Sequence, residues 1–197
     1  MAEPLERAWT VDEFFAWQER QPDRYELVEG RPLRMMAAAK NVHDDLVVNI
    51  LLALGPLLRG SPCRPFTGDG AVETYPGQIR RPDVGVDCGR RDPEGYKAEA
   101  PRLVAEVLSP STRDFDSIRK LDEYRSIADL DYILFVEPNE PLVRMWTRDG
   151  AQWRESRQTD LDARVELPKL GAALDMRAVY DGVEFPASPR LAFDATR

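Results

Sequence analysis

RLVAEVLSPSTRDFDSIRKLDEYRSIADLDYILFVEP, residues 102–138, decides the fold. It opens on an apolar run, LVAEVL, with no clean alternation and so no face set aside for solvent. It closes on a second apolar run, DYILFVEP. Between them lies a Ser-Pro-Ser-Thr turn and then a charged stretch at helical spacing, STRDFDSIRKLDEYRSI. One residue is out of place in this pattern. Glu106 sits in the middle of the first apolar run, where an unpaired carboxylate costs several kcal/mol, so something must hold it.

The helix offers a candidate. Ser111 and Thr112 can cap it, and Asp114 and Asp116 fall in its first turns, where the helix dipole favours acids. Asp116, Lys120 and Tyr124 recur at steps of four and share one stripe. An ordinary ion pair beside a half-buried tyrosine explains that stripe. So does a lysine reaching back over the Ser-Pro turn to Glu106.

Outward from this stretch the elements alternate. TVDEFFAWQER predicts a helix with a Thr10/Glu13 capping box and Phe14 and Trp17 on one face. YELVEGRPLRM predicts a hairpin turning at Glu29-Gly30. Residues 41–58 predict a helix that Gly55-Pro56 bends or ends. GAVETYP and IRRPDVGVDC are strand candidates, with Pro82 starting the strand that carries Asp83. PLVRMWTRDG and AQWRESRQ predict a hairpin at Asp149-Gly150, and LPKLGAALDMRAVYDG a loop and short helix. The order predicts a mixed α/β (α+β) domain around one sheet, spanning residues 1–185, with 186–197 a loose tail. The four tryptophans read as core or interface. Leu142, Met145 and Trp146 suit either the core or the interface of a homodimer.

The chain has 197 residues, 43% hydrophobic and 31% charged, which suits one globular domain. No apolar run is long enough for a membrane span, and no signal peptide is evident, so a cytoplasmic location is expected. Cys63 and Cys88 suggest neither a metal pair nor a disulfide. The net charge of −8 argues mildly against nucleic acid, but a metal bound by carboxylates inverts the local sign.

If the strands carrying Asp83 and Glu106 pair, two carboxylates meet at one edge of the sheet. They repel unless a proton or cation stands between them, and a hard divalent cation prefers such oxygens. For Asp83 alone, a turn residue after proline is the plainer reading. Gln78, Arg80 and Arg81 precede Pro82 and could meet phosphate. A solvated charged face is the plainer reading for them. His43, the only histidine, reads first as a cap or surface group, with a part in the site left open.

The pattern PD, then EVLSPST, then D-x-x-x-K-x-x-x-Y, then a strand ending in EP, resembles the Uma-two family of proposed endonucleases, within the PD-(D/E)XK nuclease superfamily. YELVEG and LPKLGAALDM also fit, so the resemblance runs from about Val11 to Tyr180. It implies a restriction endonuclease-like fold, a central mixed sheet flanked by helices, and phosphodiester hydrolysis with Mg²⁺ or Mn²⁺. By this resemblance Asp83 and Glu106 hold the metal, helped by a backbone carbonyl near Val107. Glu26 completes the shell or binds a second ion. Lys120 places the water or stabilises charge, and Tyr124 hydrogen-bonds a site member; Tyr124 and Arg81 are also the candidate contacts to the substrate, expected to be DNA. One departure stands out. The superfamily's lysine two residues after the glutamate is replaced by Leu108, and Lys120 on the following helix fits its place. The rival readings are a nuclease fold kept as a binding or assembly module, and a structural carboxylate cluster neutralised by Lys120 and nearby arginines.

Overall fold

The computed structural model describes residues 7–35, 40–109 and 115–186, with the side chains of 115–117 excepted. Its first helix, α1 (Val11–Gln18), begins as the sequence predicts. Thr10 Oγ1 accepts from the Glu13 backbone N–H, and the Glu13 carboxylate accepts from the Thr10 N–H. β1 (Tyr25–Val28) and β2 (Arg31–Arg34) pair antiparallel across Glu29-Gly30, whose φ angles are 51° and 72°. Glycine is required here for space as well as conformation, since a Cβ on residue 30 would fall 2.3 Å from Ala8 Cβ. α2 (Asn41–Leu57) ends one residue past Pro56.

Next come β3 (Arg64–Thr67), β4 (Val72–Glu73), β5 (Ile79–Arg80), β6 (Val84–Asp87) and β7 (Pro101–Val107). IRRPDVGVDC is therefore two strands instead of one. β5 belongs to a four-stranded sheet ordered β2-β1-β5-β4, whereas β6 belongs to the main sheet. Pro82, with no N–H to give a ladder, lies at the changeover. After α3 (Phe115–Arg125) follow β8 (Tyr132–Val136), β9 (Val143–Asp149) and β10 (Gln152–Gln158). The main sheet has six strands, ordered β10-β9-β8-β7-β6-β3. β7 and β8 run parallel, joined by the α3 crossover, and its other pairs are antiparallel. The central sheet is thus mixed, as expected, but it is accompanied by two smaller sheets. One of these corrects the reading of the C-terminal region as loop and helix: β11 (Arg164–Leu167) pairs with β12 (Ala172–Asp175) before the short α4 (Met176–Val179). Of the expected loose tail, only residue 186 lies within the described residues.

The main sheet is covered on both faces. Leu46, Ile50 and Leu54, one stripe of α2, pack with Val84, Val86, Leu103, Ala105 and Val107. On the other face Val104, Leu108, Ile133 and Trp146 pack with Tyr124 of α3. Strand alternation therefore sends Glu106, between Ala105 and Val107, to the α3 face. Met145 and Trp146 are buried, which places both in the core.

Cys63 and Cys88 are joined in a disulfide, against the sequence expectation. The β3–β6 register explains it. Arg64 stands opposite Asp87, so the next pair outward is Cys63 and Cys88. Among the described residues, no helix is long and apolar enough to cross a membrane.

Candidate functional site

The site begins with strand register. β6 and β7 pair antiparallel with Val84 opposite Ala105, so one step further sets Asp83 opposite Glu106. The ladder does not end cleanly there. Asp83 Oδ2 accepts from the Val107 backbone N–H at 2.8 Å and so replaces the missing main-chain partner. On its other edge β7 is paired with β8, where Leu108 N–H donates to Val136 C=O at 2.9 Å. The Val107 carbonyl leaves on the same edge as its N–H, toward Asp83.

α3 supplies the partners that Glu106 requires. Lys120 Nζ donates to Glu106 Oε1 at 3.0 Å, and the Tyr124 hydroxyl donates to the same oxygen at 2.5 Å. The predicted i, i+4 stripe thus converges on one carboxylate oxygen. Asp116, the third member of that stripe, lies outside the described side chains, as do the proposed caps Ser111 and Thr112 and the first-turn acid Asp114. Leu108 packs in the apolar cluster beside Tyr124.

His43 belongs to this cluster, although its place at a helix start offers little reason to expect it. Its Nε2 lies 3.2 Å from Asp83 Oδ2, and its side chain is only 20% exposed. No local spacing signals this contact. It arises because the start of α2 packs beside the start of β6.

Glu26, Arg80 and Arg81 depart most from their sequence reading. Arg80 is buried between two acids: Nη1 donates to Glu26 Oε2 at 2.7 Å, while Nε and Nη2 donate to both oxygens of Glu123, at 2.5 and 2.8 Å. Glu26 Oε1 accepts from the Arg81 N–H at 3.0 Å, so both Glu26 oxygens are engaged. Arg81 donates to the backbone carbonyls of Tyr25 and Asp69. Gln78, Arg80 and Arg81 are all buried, which overturns the reading of a solvated charged face. The cause is the split at Pro82, which places β5 between β1 and β4 beneath α3. Glu123 was invisible as a site neighbour because Arg119-x-x-x-Glu123 looks like an ordinary surface pair.

Electrostatics binds these groups together. Burial pushes the Glu106 carboxyl up to about 7; Lys120 opposes this and Asp83 adds to it. His43 is raised, first by its hydrogen bond to Asp83, although burial opposes the shift. Tyr124 is raised, chiefly by burial and then by the Glu106 charge. For Glu123, burial raises the carboxyl but the bonds and charge of Arg80 and Arg119 bring it below its ordinary range.

The donor set fits a hard divalent cation. Asp83 Oδ1 and Glu106 Oε2 accept no hydrogen bond from any described residue. Among the described residues no group of three or more His, Cys, Asp or Glu is arranged to hold a metal. An ion here would therefore take one oxygen from each carboxylate, with the Val107 carbonyl and water completing the shell, a composition that suits Mg²⁺.

The family model for Uma2, described as "Putative restriction endonuclease", matches residues 11–177. This chain belongs to the Uma2 family. The Uma2 chain is similar to the uncharacterized protein slr1290 of Synechocystis sp., at 29% identity over 177 residues covering 88% of this chain and 92% of the relative. Its fold is similar to a crystal structure from Anabaena variabilis titled as a "putative nuclease belonging to DUF820". The TM-score is 0.67 at 17% identity, over 87% of this chain and 97% of the other.

Proposed function

We propose that this Uma2 chain is a metal-dependent endonuclease that hydrolyses phosphodiester bonds in DNA, using Mg²⁺ or Mn²⁺. The observation that carries this reading is the register that sets Asp83 opposite Glu106 while Lys120 rests 3.0 Å from the latter. Two facing carboxylates beside one ammonium form a costly arrangement that a bound cation would relieve. The buried Glu26–Arg80–Glu123 group already ties the neighbouring elements together.

Each side chain then has a role. Val107 N–H and His43 fix one oxygen of Asp83, which leaves the other to face the ion. Tyr124 and Lys120 do the same for Glu106. Bound there, a divalent cation supplies Lewis-acid polarisation of the phosphoryl group and a more acidic water. Lys120 adds a fixed positive charge beside the carboxylates, where negative charge develops on the phosphate. His43 is held by Asp83 and tends toward its protonated form, so it is placed to give a proton to the leaving oxygen. Glu26 and Arg81 act from behind by anchoring β5.

The test uses end-labelled DNA and RNA of one sequence, each as a single strand and as a duplex, incubated with the full chain in Mg²⁺, in Mn²⁺ and in EDTA. Internal cleavage of DNA in either metal and none in EDTA is expected. Intact DNA in both metals refutes the proposal, and cleavage of RNA alone refutes its substrate.

A further inference from the structure

A second feature lies at the opposite end of β6. A shallow, open cleft is lined by Arg64, Asp87, Arg91, Asp92, Tyr96 and Lys97, among others. Arg64 and Arg91 have no ion-pair partner among the described residues, and both are exposed. Lys97 is paired with Glu73. The two acids of the cleft are turned to local use. Asp87 accepts from the backbone N–H groups of Gly89, Glu99 and Ala100, and Asp92 from that of Glu94. Within this mixed-charge cleft, Arg64 and Arg91 are the cations left open to an anion.

Tyr96 gives this cluster a direction. It is 45% exposed, large for an aromatic ring, and it is held in place. Phe15 stacks on it, with ring centroids 4.8 Å apart and planes 15° apart, and its hydroxyl bonds Glu19. A rigid, half-exposed aromatic ring beside unpaired arginines is the pattern by which proteins hold an unpaired base and its phosphate. The cleft also faces the same side as the candidate site. Asp83, Gly85 and Asp87 alternate onto one face of β6, and four residues of strand span ~13 Å, a few nucleotides of a nucleic-acid strand.

We infer that this cleft is a binding subsite for one nucleotide of unpaired nucleic acid, with a base stacked on Tyr96 and its phosphate on Arg64 and Arg91. The inference rests on the nucleic-acid reading of the Asp83–Glu106 site and names its substrate more narrowly: strands with a single-stranded segment a few nucleotides from the cut.

The test measures binding apart from cleavage. Fluorescence anisotropy of a labelled single-stranded oligothymidylate, and of a duplex of equal length, is read in EDTA with the full chain. Thymidine 5′-monophosphate serves as competitor to separate a strand from a free nucleotide. Tighter binding of the single strand is expected. Tyr96→Ala should weaken it at least ~5-fold, in line with loss of one stacked base, and Tyr96→Phe should restore it. Arg91→Ala should lower the salt dependence by about one phosphate contact. Single-strand affinity unchanged in both Tyr96→Ala and Arg91→Ala overturns the inference even if DNA is cut, as does equal affinity for duplex. Displacement by the monophosphate at concentrations that match the oligonucleotide overturns the strand as ligand. Failure of cleavage with these binding effects intact overturns the nuclease reading alone.

Discussion

Glu106→Gln should stabilise the metal-free protein at alkaline pH. The Glu106 carboxyl stands at about 7 in the folded chain against its ordinary 4.5, chiefly because it is buried. The folded state therefore binds a proton that the unfolded state has released across that window, and stability falls as pH rises from 4.5 to about 7. At 1.36 kcal/mol per pH unit, the full loss above that window is about 3 kcal/mol. Glutamine keeps an oxygen for Lys120 and Tyr124 but cannot ionise, so it escapes the loss. In EDTA the variant and the wild type should unfold alike near pH 5, and near pH 8 the variant should melt higher by ~6–12 °C for a chain of this size. His43 is also raised, so its own contribution is present below 6.5 and fades as pH rises, with the same sign. The comparison with Glu106→Gln is needed to separate the two. Thermal unfolding at both pH values is the assay. A variant no more stable than wild type at pH 8 would show that Glu106 is already compensated without a cation, and the argument for a metal there would fall.

Three further outcomes follow from the same geometry. Arg80→Met strands two buried carboxylates, Glu26 and Glu123, and should cost about 3–5 kcal/mol in urea unfolding; a loss under 1 kcal/mol contradicts the burial seen here. Tyr124→Phe removes one donor to Glu106 and should lower cleavage with little change in DNA affinity, whereas unchanged turnover would leave the hydroxyl a packing role only. Replacing both Cys63 and Cys88 by serine opens the link across a separation of 25 residues and should cost about 2–4 kcal/mol, read by thermal unfolding; an unchanged melting temperature contradicts the bond.

Some of this was legible in the sequence because it is local. The Thr10 capping box, the Glu29-Gly30 turn and the Lys120/Tyr124 stripe each depend on neighbours within four residues, and each appears as read. The Lys120–Glu106 contact was legible because Glu106 broke an apolar run, and such a break demands a partner; Asp83 facing Glu106 followed only on the condition that their strands pair, which they do. The rest depends on contacts between distant segments. Arg80 looks like a surface arginine until the chain changes sheets at Pro82 and carries β5 under α3. Cys63 and Cys88 look unrelated until β3 and β6 fix their register. His43 looks like a helix-start residue because nothing near it in sequence announces Asp83, forty residues away. β11 and β12 were missed because the 3-10 turn Pro168–Leu170 and Gly171 joins them, and that connection does not read as a two-residue hairpin turn as Glu29-Gly30 does.

The decisive measurement is the rate of supercoiled plasmid nicking in Mg²⁺ by the wild type, Asp83→Ala and Lys120→Ala, each first shown to be folded by circular dichroism. Nicking by the wild type, with both variants slowed ~100-fold or more, is the result predicted for a carboxylate pair served by a displaced lysine. A wild type that never nicks, or an Asp83→Ala variant that nicks at the wild-type rate, would contradict it.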